Sequence, residues 1–94
     1  MIETISKSSF YTRMKQNKAK KLSSNGKYEE AAKELEKIPN KDPDDLNGLG
    51  GLYFQIKEYE TALVYFKKYL ETGIDVENAY VNLGCAYGCL DEKE

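Results

Sequence analysis

This sequence predicts an all-α chain of stacked, antiparallel helix hairpins, on three observations. Leu49-Gly50-Gly51-Leu52-Tyr53 and Leu83-Gly84-Cys85-Ala86-Tyr87 repeat one L-G-x-x-Y pattern thirty-four residues apart, a period that accommodates two helices and their turns. A second echo sets Asn25-Gly26-Lys27-Tyr28-Glu29-Glu30-Ala31-Ala32 against Ile56-Lys57-Glu58-Tyr59-Glu60-Thr61-Ala62-Leu63, pairing Tyr28 with Tyr59, Ala31 with Ala62 and Leu35 with Phe66 at a constant offset of thirty-one. Finally, no segment sustains the alternation of a half-buried strand, and Val, Ile and Thr are scattered, so a sheet is not expected.

Five helices follow in order. Ser8 or Ser9 is expected to cap the first, which ends near Ser24 where Asn25-Gly26 turns the chain. Its expected buried side is Tyr11, Met14, Ala19 and Leu22, while Lys15 and Lys18 occupy places better suited to apolar residues. A second helix runs from Tyr28 to Ile38, is stopped by Pro39, and buries Ala31, Ala32, Leu35 and Ile38. Asp42-Pro43-Asp44-Asp45 then supplies an N-cap acceptor, a proline at the first helical position and acids near the positive end of the helix dipole. The third helix therefore spans about Pro43 to Ile56. The fourth spans about Tyr59 to Thr72, with Gly73 free to take the left-handed conformation that ends it. Asp75 caps the fifth, about Val76 to Leu90, on which Tyr80, Leu83, Gly84 and Tyr87 recur along one face.

Ninety-four residues make a single domain, of a size that buries only about 60–65% of the surface its unfolded chain exposes. A hydrophobic fraction of 40% with 32% charged residues suits a folded chain rather than a disordered one. The charge is uneven: residues 1–27 carry seven bases against Glu3 alone, whereas the remainder carries seven bases and fifteen acids. No run approaches the ~18 apolar residues of a membrane span, and the segment from Met1 to Met14 lacks the apolar stretch of a secretory signal. A cytoplasmic location without a membrane partner is expected.

The chain is not expected to be an enzyme. It has no histidine, so the usual acid–base group near neutral pH is absent, and it has no G-x-S-x-G, P-loop or dinucleotide glycine pattern. Gly48-Leu49-Gly50-Gly51 is rich in glycine but lies inside a helix and follows no strand. Cys85 and Cys89 stand four residues apart on one helix face, where Cβ atoms ~6 Å apart exceed the ~3.8 Å of an unstrained disulfide. Two thiolates without histidine are too few for a structural zinc site. No metal and no cofactor is expected.

These patterns together resemble the tetratricopeptide repeat, a thirty-four-residue helix-turn-helix unit with L-G-x-x-Y in its first helix and Y-x-x-A-x-x-x-F in its second. Residues 43–76 match best, through Leu49, Gly50, Tyr53, Tyr59, Ala62 and Phe66. A degenerate copy precedes them at about 12–42, where Ala19 stands for the glycine, Leu22 for the aromatic and Lys18 for the leucine. A half copy follows at about 77–94, with Leu83, Gly84 and Tyr87 in place. The resemblance implies a right-handed superhelical stack and packing tasks for the signature residues: Gly50 and Ala62 small where paired helices cross, Tyr53, Tyr59 and Phe66 filling the spaces beside them. It also suggests that the chain is a piece of a longer array, with Leu83, Tyr87 and Leu90 keeping an uncovered apolar side.

What the resemblance implies for function is a non-catalytic scaffold domain that holds a peptide or helix in a concave groove lined by the first helices. Carried onto this sequence, that surface comprises Arg13, Gln16 and Lys20 from the first helix, and Asn47, Gly51 and Phe54 from the third. Asn78, Val81, Asn82 and Cys85 extend it along the fifth. Asn47, Asn78 and Asn82 offer both donor and acceptor to a peptide backbone, Phe54 an apolar contact, and Arg13 and Lys20 a grip on a carboxylate, which brings acidic segments among the expected partners. Family members that clamp chaperone tails use a set of Lys, Asn and Arg that Gln16, Lys20, Gly48, Asn78 and Asn82 do not reproduce, so that activity is not expected. The alternative is a self-assembling module, a homo-oligomer formed through the uncovered last helix. An RNA-binding helical repeat ranks below both, because the acidic remainder interrupts any phosphate track.

Overall fold

The computed structural model describes the backbone of residues 2–93 and the side chains of residues 10–91. Among these the fold is all-α, with α1 at Ile2–Ser24, α2 at Tyr28–Glu36, α3 at Pro43–Gln55, α4 at Tyr59–Thr72 and α5 at Val76–Lys93. Each helix packs on its neighbours in chain order, and the body measures 50 × 30 × 16 Å.

Local chemistry sets the breaks. Asp42 caps α3 as expected: its carboxylate accepts from the Asp45 backbone N–H at 2.8 Å, and the Asp45 carboxylate accepts from the Asp42 N–H at 3.1 Å. Asp75 does the same for α5, accepting from the Asn78 N–H at 3.1 Å. Gly73 ends α4 at φ 70, in the left-handed region where a side chain would be strained.

The offset of thirty-one is realised as one turn used twice. After α1, the Lys27 N–H donates to Leu22 O at 2.9 Å and the Gly26 N–H to Ser23 O at 3.0 Å; after α3, the Glu58 N–H donates to Tyr53 O at 2.8 Å and the Lys57 N–H to Phe54 O at 3.0 Å. Both turns pivot on a left-handed residue, Gly26 at φ 78 in the first and Lys57 at φ 66 in the second.

Two cores result. The first gathers Ala19, Ala31, Ala32, Leu35, Ile38, Leu49 and Leu52, and the second Ala62, Leu63, Phe66, Leu83 and Ala86, with Tyr53 packed against both. The tightest approach lies between α3 and α4. A Cβ on Gly50 would sit 2.5 Å from Phe66 Cδ1 and closer still to Cε1, so only glycine lets that ring come this near the α3 backbone. The neighbouring glycines differ: Gly48 would make ordinary contact with Leu35 at 3.5 Å, and Gly51 and Gly84 would meet nothing within 4 Å.

The first helix departs from expectation. It begins at Ile2, so Ser8 and Ser9 lie inside it rather than at its cap; no proline or glycine interrupts residues 2–24. Ala19 is buried and Leu22 half-buried, but Tyr11 and Met14 are exposed. Met14 points to the side of α1 away from Ala19; for Tyr11 the reason is length. Nine-residue α2 spans ~14 Å against ~34 Å for α1, so it shields only the C-terminal half of its partner. Lys15, placed among apolar neighbours, is satisfied by an ion pair: its ammonium lies 3.0 Å from buried Glu34, which also accepts from Lys37 at 3.1 Å. At the other end α5 continues to Lys93, past the expected Leu90. Of its expected face, Leu83 is buried, Leu90 is half-buried, and Tyr80, Gly84 and Tyr87 are exposed.

Candidate functional site

A cleft of about 790 Å³ opens between α1 and α3. Its apolar lining comes from Ala19 on α1, Tyr28 and Leu35 on α2, and Leu52 on α3. Gln16, Lys20 and Ser23 add polar groups from α1, while Asp44, Gly48, Gly51 and Gln55 line it from α3. Gly51 brings no side chain and a Cβ there would meet nothing within 4 Å, so the α3 backbone borders open space at that point.

Gln16 fastens one end. Its amide donates to Asp45 at 2.8 Å and to Asp42 at 3.4 Å, tying α1 to the capping box of α3. This use of Asp45, which is buried, fixes the separation of the two helices at the acidic end. Lys20 is exposed and has the freedom to follow a ligand's charge.

Of the residues expected on the partner surface, Gln16, Lys20 and Gly51 come together in this cleft. Asn47 and Asn82 are bound to each other instead, the Asn82 amide donating to Asn47 Oδ1 at 2.9 Å and joining α5 to α3. Phe54 turns edge-on to Tyr59, ring centroids 5.3 Å apart, and packs on the second core. Asn78 is half-buried beside the start of α5, and Arg13, Val81 and Cys85 are exposed elsewhere. Missed in the sequence were Ser23, Asp44, Gln55 and Leu52, which hold no signature position, Tyr28, which reads only as a repeat position, and Leu35, which reads only as core. The legible signal was Gly48 with Gly51, two glycines three apart on one side of a helix.

A second polar cluster spans three helices. Glu36 at the end of α2 accepts from the Tyr53 hydroxyl at 2.8 Å and from the Tyr65 hydroxyl at 2.6 Å, and the two rings stack at 5.8 Å. Burial, reinforced by the Glu36 carboxylate, pushes the Tyr53 phenol up to about 12 and raises that of Tyr65 further. Glu34 moves the opposite way: hydrogen bonds from Lys15 and Lys37 hold its carboxyl below the ordinary range against the opposing effect of burial. These clusters clamp helices together.

Among the described residues no three His, Cys, Asp or Glu side chains converge on a point where a metal would sit, and no helix is long and apolar enough to cross a membrane. The chain matches no protein-family model, no curated protein and no solved structure.

Proposed function

We propose that this chain is a non-catalytic interaction domain of the tetratricopeptide type, binding a peptide or helical segment of another protein in the cleft between α1 and α3. The cleft carries the reading: apolar groups line it, polar groups from two helices edge it, and glycine leaves one border open for a ligand backbone to approach. The repeat assignment draws support from the duplicated turn at 22–27 and 53–58, from the Gly50–Phe66 crossing, and from the Asn82–Asn47 bond between the first helices of successive hairpins. A right-handed superhelical course is the geometry such stacking favours. Lys20 at the edge suits a ligand bearing a carboxylate. Two thiols, Cys85 exposed and Cys89 half-buried, suit a reducing, cytoplasmic setting.

Gly51→Leu tests this reading. The new side chain enters open space, and leucine favours a helix over glycine, so the fold is retained while the cleft is filled. Peptides selected from a random library on the unmodified domain should bind Gly51→Leu at least tenfold more weakly. Selected peptides that bind both proteins equally would place recognition outside the cleft.

A further inference from the structure

The first and last helices each carry an outer row that no described residue covers. On α1, Phe10, Met14, Asn17 and Lys21 recur in steps of four, three and four, which sets them in one line on the side away from Ala19 and Leu22. Phe10 is 69% exposed and Met14 48%. On α5, Glu77, Val81, Gly84 and Gly88 follow the same steps on the side away from Ala79, Leu83 and Ala86. Val81 is 62% exposed, and a Cβ at Gly84 or Gly88 would meet nothing within 4 Å. One row presents two long apolar knobs; the other presents a shallow floor of glycine.

Charge selects among the ways two copies can use these rows. Residues 10–24 contain five bases and no acid, and residues 76–91 two acids and no base. Pairing α1 with α1 would set bases against bases. Pairing α5 with α5 antiparallel about Gly84 would set Glu77 against Asp91, since each lies seven residues from that glycine. Only α1 with α5 joins unlike charges.

We propose that copies of this chain associate head to tail, the outer row of α1 in one copy docking antiparallel on the outer row of α5 in the next. The register that seats Met14 on Gly84 and Phe10 on Gly88 brings Asn17 opposite Val81 and Lys21 opposite Glu77. A parallel docking that seats Phe10 on Gly84 sets Asn17, an amide and not a base, against Asp91. The interface is heterologous, so every pair keeps one free row at each end and assembly extends with concentration. Gln16, Lys20 and Ser23 lie on another side of α1, so the cleft stays open and this inference goes beyond the peptide-binding reading.

Sedimentation of the 94-residue chain over a range of protein and salt concentrations tests it. The weight-average mass should rise past the dimer with concentration and fall with added salt. Two blocked proteins, Phe10→Ser with Met14→Glu and Val81→Lys with Gly84→Lys, should each be monomeric. Their equimolar mixture should form a heterodimer and nothing larger, since each keeps the row the other lacks. Circular dichroism matching the unmodified chain establishes that both fold. Lys21→Glu should weaken association about fivefold, and adding Glu77→Lys in the same chain should restore it. An unmodified chain that stays monomeric throughout, a blocked protein that dimerises alone, a mixture without heterodimer, or a charge exchange without recovery would each overturn the proposal.

Discussion

Gly50 and Gly84 occupy the same place in L-G-x-x-Y, yet replacing each by alanine should shift stability in opposite directions. Glycine inside a helix is worse than alanine by about 0.5–1 kcal/mol through backbone entropy alone, so both substitutions begin with that gain. At Gly84 nothing lies within 4 Å of the new methyl group, and the gain is realised. At Gly50 the methyl would enter within 2.5 Å of the Phe66 ring, which is buried and cannot swing into solvent. Overpacking of this kind costs about 1–3 kcal/mol, leaving a net loss of up to roughly 2.5 kcal/mol. For a domain of this size each kcal/mol moves the melting temperature by about 4–8 °C. Thermal and urea unfolding should therefore show Gly50→Ala below the parent and Gly84→Ala above it. Shortening the ring in Gly50→Ala/Phe66→Leu should give less destabilisation than the sum of the two single changes, because the second removes the atoms the first strikes. If Gly50→Ala matched Gly84→Ala, the close approach of α4 to the α3 backbone would be refuted.

Three further outcomes follow from the polar clusters and the turn at Lys57. Because the folded-state values of Tyr53 and Tyr65 lie above the ordinary 10.0, their contribution to stability is complete below pH 10 and is lost as pH rises through about 12. Phenolate absorbance should show two late-titrating tyrosines, and Glu36→Gln should bring both part of the way back, burial sustaining the rest. Glu34 has a depressed value, so its contribution is present above 4.5 and is lost as pH falls through the lowered folded-state value. Glu34→Ala should cost roughly 2–3 kcal/mol in urea unfolding at neutral pH by leaving Lys15 unpaired, and Glu34→Met with Lys15→Met should recover most of it. Lys57 holds a left-handed backbone that glycine adopts freely; Lys57→Gly should raise stability by about 1 kcal/mol, whereas Gly26→Lys should lower it by a similar amount.

The parts of this molecule governed by local chemistry were readable before the structure. Asp42, Asp75 and Gly73 announced the breaks because caps and left-handed ends act through neighbouring residues. Ala31, Ala32, Leu35 and Ile38 announced a buried face because helical periodicity projects them together. What escaped depended on the relative extent of elements and on partners distant in sequence. Tyr11 has core-like character but lies beyond the reach of α2, and Met14 falls on the face of α1 turned away from it. Lys15 is a misfit in the sequence pattern because its partner, Glu34, lies nineteen residues on. Asn47 and Asn82 read as two free amides, and their mutual bond needed α3 and α5 to be set side by side. The cleft was legible by half: Gln16, Lys20 and Gly51 lay on the expected surface, but its apolar lining is shared with the first core and has no separate signature.

The chain-order packing of the helices has a kinetic corollary. Each hairpin joins segments separated by turns of three residues, at 25–27, 56–58 and 73–75, so much of the fold forms without first closing a long loop. Topologies dominated by such local contacts cross their folding barrier in microseconds to milliseconds. They also come apart by steps, since losing a terminal helix removes one set of neighbours and leaves the rest standing. Amide exchange should accordingly be slowest around the Gly50–Phe66 crossing and progressively faster toward Ile2 and Lys93, with α3 and α4 as the last unit to open.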